Sequence, residues 1–341
     1  MLKRSSIFPR LLWFIPWVLV SILLWWALKD VPFGEITLAL SRLTVWQILT
    51  LVGVNTFLML FLSARWWLIL HAQGFSIPYL MLSAYRLAAF SVAYFTPGPH
   101  FGGEPWQVFL PQQRHGVPGT VALASLGLDK LFDLLANFTF LVVGVLIIFS
   151  GGLIGREVGA ATIFLSLALL AAPLAYLIWL WRAGAPLTGA VNWLAARRPF
   201  PAWMEKTARV VRESEGLAAS FGKRYPRAFI LAILISGLVW FGIISEFGLA
   251  LHFLGVSFSL ARVLSVVTAA RIANLFPTPG ALGTLEASQV LVMEALGINP
   301  AVGLSLSLII RARDLTFGGI GLWFAGFFSP KLKLTKMEGE Q

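Results

Sequence analysis

The sequence contains no cysteine, which excludes disulfides, thiolate nucleophiles and cysteine-ligated metals. Charge is scarce as well: only 12% of the 341 residues are Asp, Glu, Lys or Arg, about half the share in a soluble globular domain. Of the 4 histidines, His71 and His252 close their spans with no second metal-type ligand at suitable spacing. No Walker loop, dinucleotide fingerprint or nucleophile elbow occurs, so no donor-binding or nucleophile motif marks an enzyme. What remains is apolar, with 58% hydrophobic residues, and this composition reads as an all-α polytopic membrane protein. A net charge of +11 would suggest nucleic acid in a soluble chain. Here the positions of Lys and Arg along the chain account for it, and no nucleic acid, metal or cofactor is expected.

At roughly 20 apolar residues per crossing, about six full spans fall near 11–28, 46–70, 119–149, 161–181, 228–254 and 301–329. The first has the polarity of a signal peptide but is too long and lacks a cleavage site, so it reads as an uncleaved anchor. Two segments remain, 80–113 and 260–297. Each runs apolar into a Pro-Gly break and continues as a more polar helix. The breaks are Pro97-Gly98 followed by Gly103, and Pro277-Thr278-Pro279-Gly280 followed by Gly283. Proline removes a backbone donor and glycine admits left-handed turns, so such a break must be buried in protein or line a wet cavity. Residues 102–113 make at most about 18 Å of helix, short of a core about 30 Å thick, which favours re-entrant hairpins over full crossings.

With both termini cytoplasmic, sixteen Lys and Arg residues fall inside and only Lys29, Arg42 and Arg156 outside, as the positive-inside rule requires. The domain reading is then an anchor and outer loop (1–45), a first repeat (46–181), a basic linker (182–227), a second repeat (228–329) and a tail (330–341). Within the linker, 203–221 reads either as an amphipathic helix on the anionic leaflet or as a solvated connecting helix.

The two repeats are visible directly. Leu70-His71-x-x-Gly74-x-Ser76 recurs as Leu251-His252-x-x-Gly255-x-Ser257, each residue 181 positions later. Lys130-x-x-Asp133 answers Arg311-x-x-Asp314 at the same offset, and Glu104 answers Glu286 at 182. The span count makes the halves inverted, and inverted halves with discontinuous helices describe a common transporter plan.

Ionisable groups inside a bilayer mark function or structural pairing. Asp129, Lys130 and Asp133 lie mid-span in one long segment, and Arg311, Arg313 and Asp314 in the last. Lys130 with Asp133, and Arg311 with Asp314, are spaced as i,i+3 pairs. Arg313 has no counterpart in the first repeat and reads as a spare cation for a lipid phosphate. Glu104 and Glu286 stand in the first turn after each break, placed either as helix caps or as carboxylates for cation pairing or proton coupling. Arg86 and Arg271, in the descending arms, either bind anionic headgroups or neutralise those glutamates. Arg65 and Glu246 occupy equivalent places with opposite charge, suggesting a pair between the halves.

Arg65-Trp66-Trp67, Thr96-Pro97-Gly98 with Gly103-Glu104, Asp129-Lys130-x-x-Asp133 and Pro277-x-Pro279-Gly280-x-x-Gly283-x-x-Glu286 together resemble the transmembrane region of lysylphosphatidylglycerol synthase/flippase proteins. The resemblance runs from the second span to the last. It implies the lipid-moving part of such proteins without their aminoacyltransferase domain, in a bacterial inner membrane. The expectation is a lipid flippase or transporter whose partners are membrane lipids, with phosphate held by Arg313, Arg311, Lys130, Arg86 or Arg271. The alternative is an accessory or catalytic membrane subunit of lipid or lipid-linked glycan synthesis, working beside a lipid-synthesis enzyme.

Overall fold

The computed structural model describes residues 33–41, 43–95, 102–152, 156–182, 184–197, 201–276 and 278–328. The anchor expected at 11–28, the tail from 330, and Pro97, Gly98 and Pro277 of the two breaks lie outside them. Among the described residues the secondary structure is helical throughout. A short helix, α1 (Phe33–Ser41), precedes a series that occurs twice. The first run is α2 (Val45–Ala72), α3 (Tyr79–Phe95), α4 (Glu104–His115) and α5 (Gly119–Ser150); the second is α9 (Pro226–Phe253), α10 (Leu260–Ala273), α11 (Thr284–Ala295) and α12 (Pro300–Phe328). Between them lie α6 (Arg156–Trp181), α7 (Pro186–Arg197) and α8 (Ala202–Arg224).

Among the described residues four helices combine the length and apolarity to cross a membrane: α2, α5, the Gly159–Trp181 part of α6, and α9. Several such helices in one chain are the mark of a multi-pass membrane protein. The expected last span, α12, is 29 residues long, but Arg311, Arg313 and Asp314 interrupt its apolar run. The helices on either side of the two breaks end and restart at Phe95 and Glu104, and at Ala273 and Thr284. The arms they separate have 17 and 12 residues in the first case and 14 and 12 in the second.

Local chemistry explains the ends. Thr44 and Gln47 form a reciprocal capping box at the start of α2, with Thr44 N–H donating to Gln47 Oε1 at 2.9 Å. The repeated Leu-His-x-x-Gly is a helix stop. Gly74 and Gly255 adopt φ of +91° and +85°, and the next residues, Phe75 and Val256, donate back to Leu70 and Leu251 carbonyls at 3.2 and 2.9 Å. That is the Schellman arrangement, in which a left-handed residue satisfies the last carbonyls.

Each half has an apolar core, around Trp66, Leu82, Tyr85 and Leu110 in the first and around Leu251, Val266, Met293 and Leu306 in the second. The halves also interlock. The arm α3 packs on α12 so closely that a Cβ on Gly321 would lie 1.9 Å from Ser91 Oγ. Correspondingly, α10 packs on α5, where a Cβ on Gly144 would lie 1.9 Å from Thr268 Oγ1. The segment 203–221, read either as an amphipathic helix on the leaflet or as a solvated connecting helix, lies within α8, whose apolar side, with Ala208 and Phe221, is buried against α5, α6 and α9. Glu215 on that side accepts from Leu187 and Thr188 N–H at 2.9 and 2.6 Å, capping α7.

Candidate functional site

The charges singled out in the sequence gather where the broken arms meet α5 and α12. In the second half, Glu286 follows the break on α11. Its Oε2 accepts from Gly283 N–H at 2.8 Å, which satisfies a donor at the helix start. Both its oxygens then receive Arg311 of α12, Nε at 2.8 Å and Nη2 at 3.1 Å. Arg311 also donates to the carbonyls of Gly280 and Ala281 and, at 3.4 Å, to Tyr94 Oη on α3. Those carbonyls belong to a stretch in which Gly280 and Ala281 have φ of +54° and +53°. Left-handed backbone at an alanine is unfavourable by about 1–2 kcal/mol, so Arg311 holds a conformation the local sequence alone would not keep.

The first half repeats this device with looser contacts. Glu104 Oε2 accepts from Gly102 N–H at 2.8 Å, and its Oε1 lies 3.2 Å from Lys130 Nζ on α5. Lys130 and Arg311 are the residues the repeat pairs, as are Glu104 and Glu286. The two pairs differ in exposure. The side chains of Lys130 and Glu104 are 39% and 25% exposed, those of Arg311 and Glu286 9% and 6%. Gly103 fixes the first pair's place, since a Cβ there would lie 2.0 Å from Ala89 O on the opposite arm. The two hairpins touch at Tyr94, whose ring lies 3.0 Å from where a Gly280 Cβ would be.

Behind the first pair, Asp129 is fully buried and binds two arginines, Arg65 Nε at 2.7 Å and Arg86 Nη1 at 2.9 Å. Arg65 completes its shell with Ser236 Oγ at 3.0 Å and Asp133 Oδ1 at 3.2 Å. Behind the second pair, Arg313 binds Glu246 and, at 2.8 Å, Asp314, and donates to Asn55 Oδ1 at 3.4 Å. Arg271 lies over the Trp240 ring at 4.9 Å. These twelve ionisable residues are six basic and six acidic.

The structure brings all the charged residues expected from the sequence into this region but connects them differently. The i,i+3 pairs are not formed: Lys130 goes to Glu104, Asp133 to Arg65, Arg311 to Glu286 and Asp314 to Arg313. Arg313 is ion-paired, not spare. Arg65 and Glu246 do not meet; each reaches the long helix of its own half, α5 or α12, because both point inward from equivalent helices that flank them. Nor do Arg86 and Arg271 neutralise the glutamates, as Arg86 is taken up by Asp129. The capping role of Glu104 and Glu286 is present together with ion pairing.

Two residues escaped the sequence reading. Gln107 and Gln289, one turn after each glutamate, are 6% and 0% exposed, and each has an Oε1 without a hydrogen-bond partner. Their offset of 182, the same as for Glu104 and Glu286, is the signal that points to them. Apart from the charges, an apolar cavity of about 520 Å³ opens between α2 and α9, lined by Phe57, Phe61, Leu238 and Phe241 among others.

No curated protein and no solved structure matches the chain. The family model of the lysylphosphatidylglycerol synthase transmembrane region matches residues 13–321, and with most of its length covered the chain belongs to that family.

Proposed function

We propose that this protein moves a polar membrane lipid between leaflets. The observation that carries the reading is the pair of equivalent ion pairs, Glu104 with Lys130 and Glu286 with Arg311, one partly open and the other sealed. A site presented alternately to two sides needs two like gates of which one is closed at a time. The repeat supplies like gates, and their unequal exposure matches one state of such a cycle. Broken hairpins entering from opposite faces of a bacterial inner membrane, with both termini cytoplasmic, would aim the two gates at the two leaflets. The headgroup would cross among the charges while its tails remain in hydrocarbon. The reading is of a transporter because the chemistry on view among the described residues is ion pairing and capping.

The test is leaflet movement of acyl-labelled lipids in proteoliposomes, with the native protein beside Lys130→Gln and Glu286→Gln. Movement by the native protein that falls in both variants, while each keeps its helicity and monodisperse elution, is the expected result. A native protein that moves no lipid of any headgroup class sinks the proposal and favours the accessory-subunit alternative.

A further inference from the structure

The ion pairs leave two groups over, and these deepen the lipid-transport reading on which this inference rests. Arg271, near the end of α10, stacks on Trp240 at 4.9 Å, and Trp240 stacks in turn on Phe140 at 4.0 Å. Among the described residues the Arg271 guanidinium forms no ion pair and no hydrogen bond. Five N–H donors without an acceptor are costly in an apolar assembly unless a ligand or water supplies one. The aromatic stack holds the guanidinium plane ready, with little side-chain freedom left to lose on binding.

The charged groups that act electrostatically on Arg271 come from three helices: Asp133 on α5, Glu246 on α9, and Arg313 and Asp314 on α12. Glu246, Arg313 and Asp314 are joined to one another. Asp133 is not used up. One of its oxygens accepts from Arg65, and its side chain is 48% exposed. An unpaired cation therefore stands near a carboxylate with an oxygen to spare. The six-to-six balance of the surrounding charges then decides what fits. A ligand of net charge would bring an uncompensated charge into a low-dielectric site, whereas a neutral ligand with separated charges would not.

We propose that Arg271 and Asp133 form the recognition site for a zwitterionic phospholipid headgroup, the phosphate taken bidentately by Arg271 and the ammonium by Asp133. Phosphatidylethanolamine represents the class. Phosphatidylglycerol offers no ammonium to Asp133, and lysylphosphatidylglycerol carries a second positive charge for which no carboxylate is left unpaired.

The experiment measures movement of these three lipids, each labelled on an acyl chain, in proteoliposomes containing native, Arg271→Gln, Arg271→Lys or Asp133→Asn protein. Phosphatidylethanolamine should move fastest. Arg271→Gln should slow it about tenfold or more, the worth of a charge-assisted bidentate contact, and Arg271→Lys less. Asp133→Asn should narrow the gap between phosphatidylethanolamine and phosphatidylglycerol. Lipid movement that ignores headgroup class and the Arg271 variants overturns this inference and leaves the transport reading standing; no movement of any lipid by native protein defeats the transport reading itself. Melting of the native protein in detergent, with dihexanoyl phosphatidylethanolamine, dihexanoyl phosphatidylglycerol or glycerophosphoethanolamine, decides the matter without variants. Stabilisation by the first above the other two supports the site. Equal shifts from both lipids, or a shift from the tail-free headgroup alone, overturn it.

Discussion

Arg311 and Glu286, 25 positions apart, meet through two hydrogen bonds at 2.8 and 3.1 Å, and the remaining donors of the same arginine tie down the Gly280 and Ala281 carbonyls. One side chain thus neutralises the carboxylate and closes the break. Removing it leaves a buried anion and two carbonyls without donors. Arg311→Met should lower unfolding free energy by about 3–5 kcal/mol. The double variant with Glu286→Gln should lose less than the sum of the two single changes. Denaturation in detergent measures both, and strictly additive losses would refute the pairing.

Asp129 and Asp133 lie one turn apart on α5 but differ in surroundings. Asp129 is sealed between Arg65 and Arg86, whereas the side chain of Asp133 is 48% exposed. Asp129→Asn should therefore cost about 3–5 kcal/mol by stranding Arg86 and leaving Arg65 only Asp133 as a carboxylate partner. Asp133→Asn should cost clearly less, since Arg65 keeps Asp129 as its partner at 2.7 Å. The same melting series ranks them, and equal losses would contradict the burial difference.

How much of this was legible in the sequence depends on the kind of signal. The breaks and the repeat were readable because proline, glycine and constant offsets are local and discrete. The stop at Leu70-His71-x-x-Gly74 could be seen as a repeat but not as a Schellman turn until the φ of Gly74 was known. Partner choice among the charges was not legible. Lys130 and Asp133 have the spacing of a helical pair, yet a full counter-charge on a facing helix outcompetes an i,i+3 contact worth only about 0.2–0.5 kcal/mol. Arg65 and Glu246 misled for a related reason, since equivalence by repeat places two residues in like surroundings, not against each other.

The two arms of the first hairpin approach at Gly103, where any Cβ would press on the Ala89 carbonyl. Its φ of −86° is ordinary, so the demand is for space and not for backbone freedom. Gly103→Ala should part the arms, shift Glu104 from Lys130 and slow lipid movement, while Gly53→Ala, with nothing within 4 Å, should leave both stability and movement unchanged. Melting and transport of the two variants, side by side, make the comparison; a tolerated Gly103→Ala would show that the arms are free to separate.

His71 and His252 test the inverted arrangement most directly, because they are the same residue of the two halves and both side chains are exposed at helix ends. If the halves are inverted, these positions face opposite sides of the membrane; if they are parallel, the same side. The chain has no cysteine of its own, so a single introduced thiol reports without background. A membrane-impermeant maleimide should label His252→Cys in right-side-out spheroplasts and His71→Cys only in inverted vesicles. Labelling of both from one side would make the duplication parallel, and the alternation of Glu104 and Glu286 between leaflets would then have no structural basis.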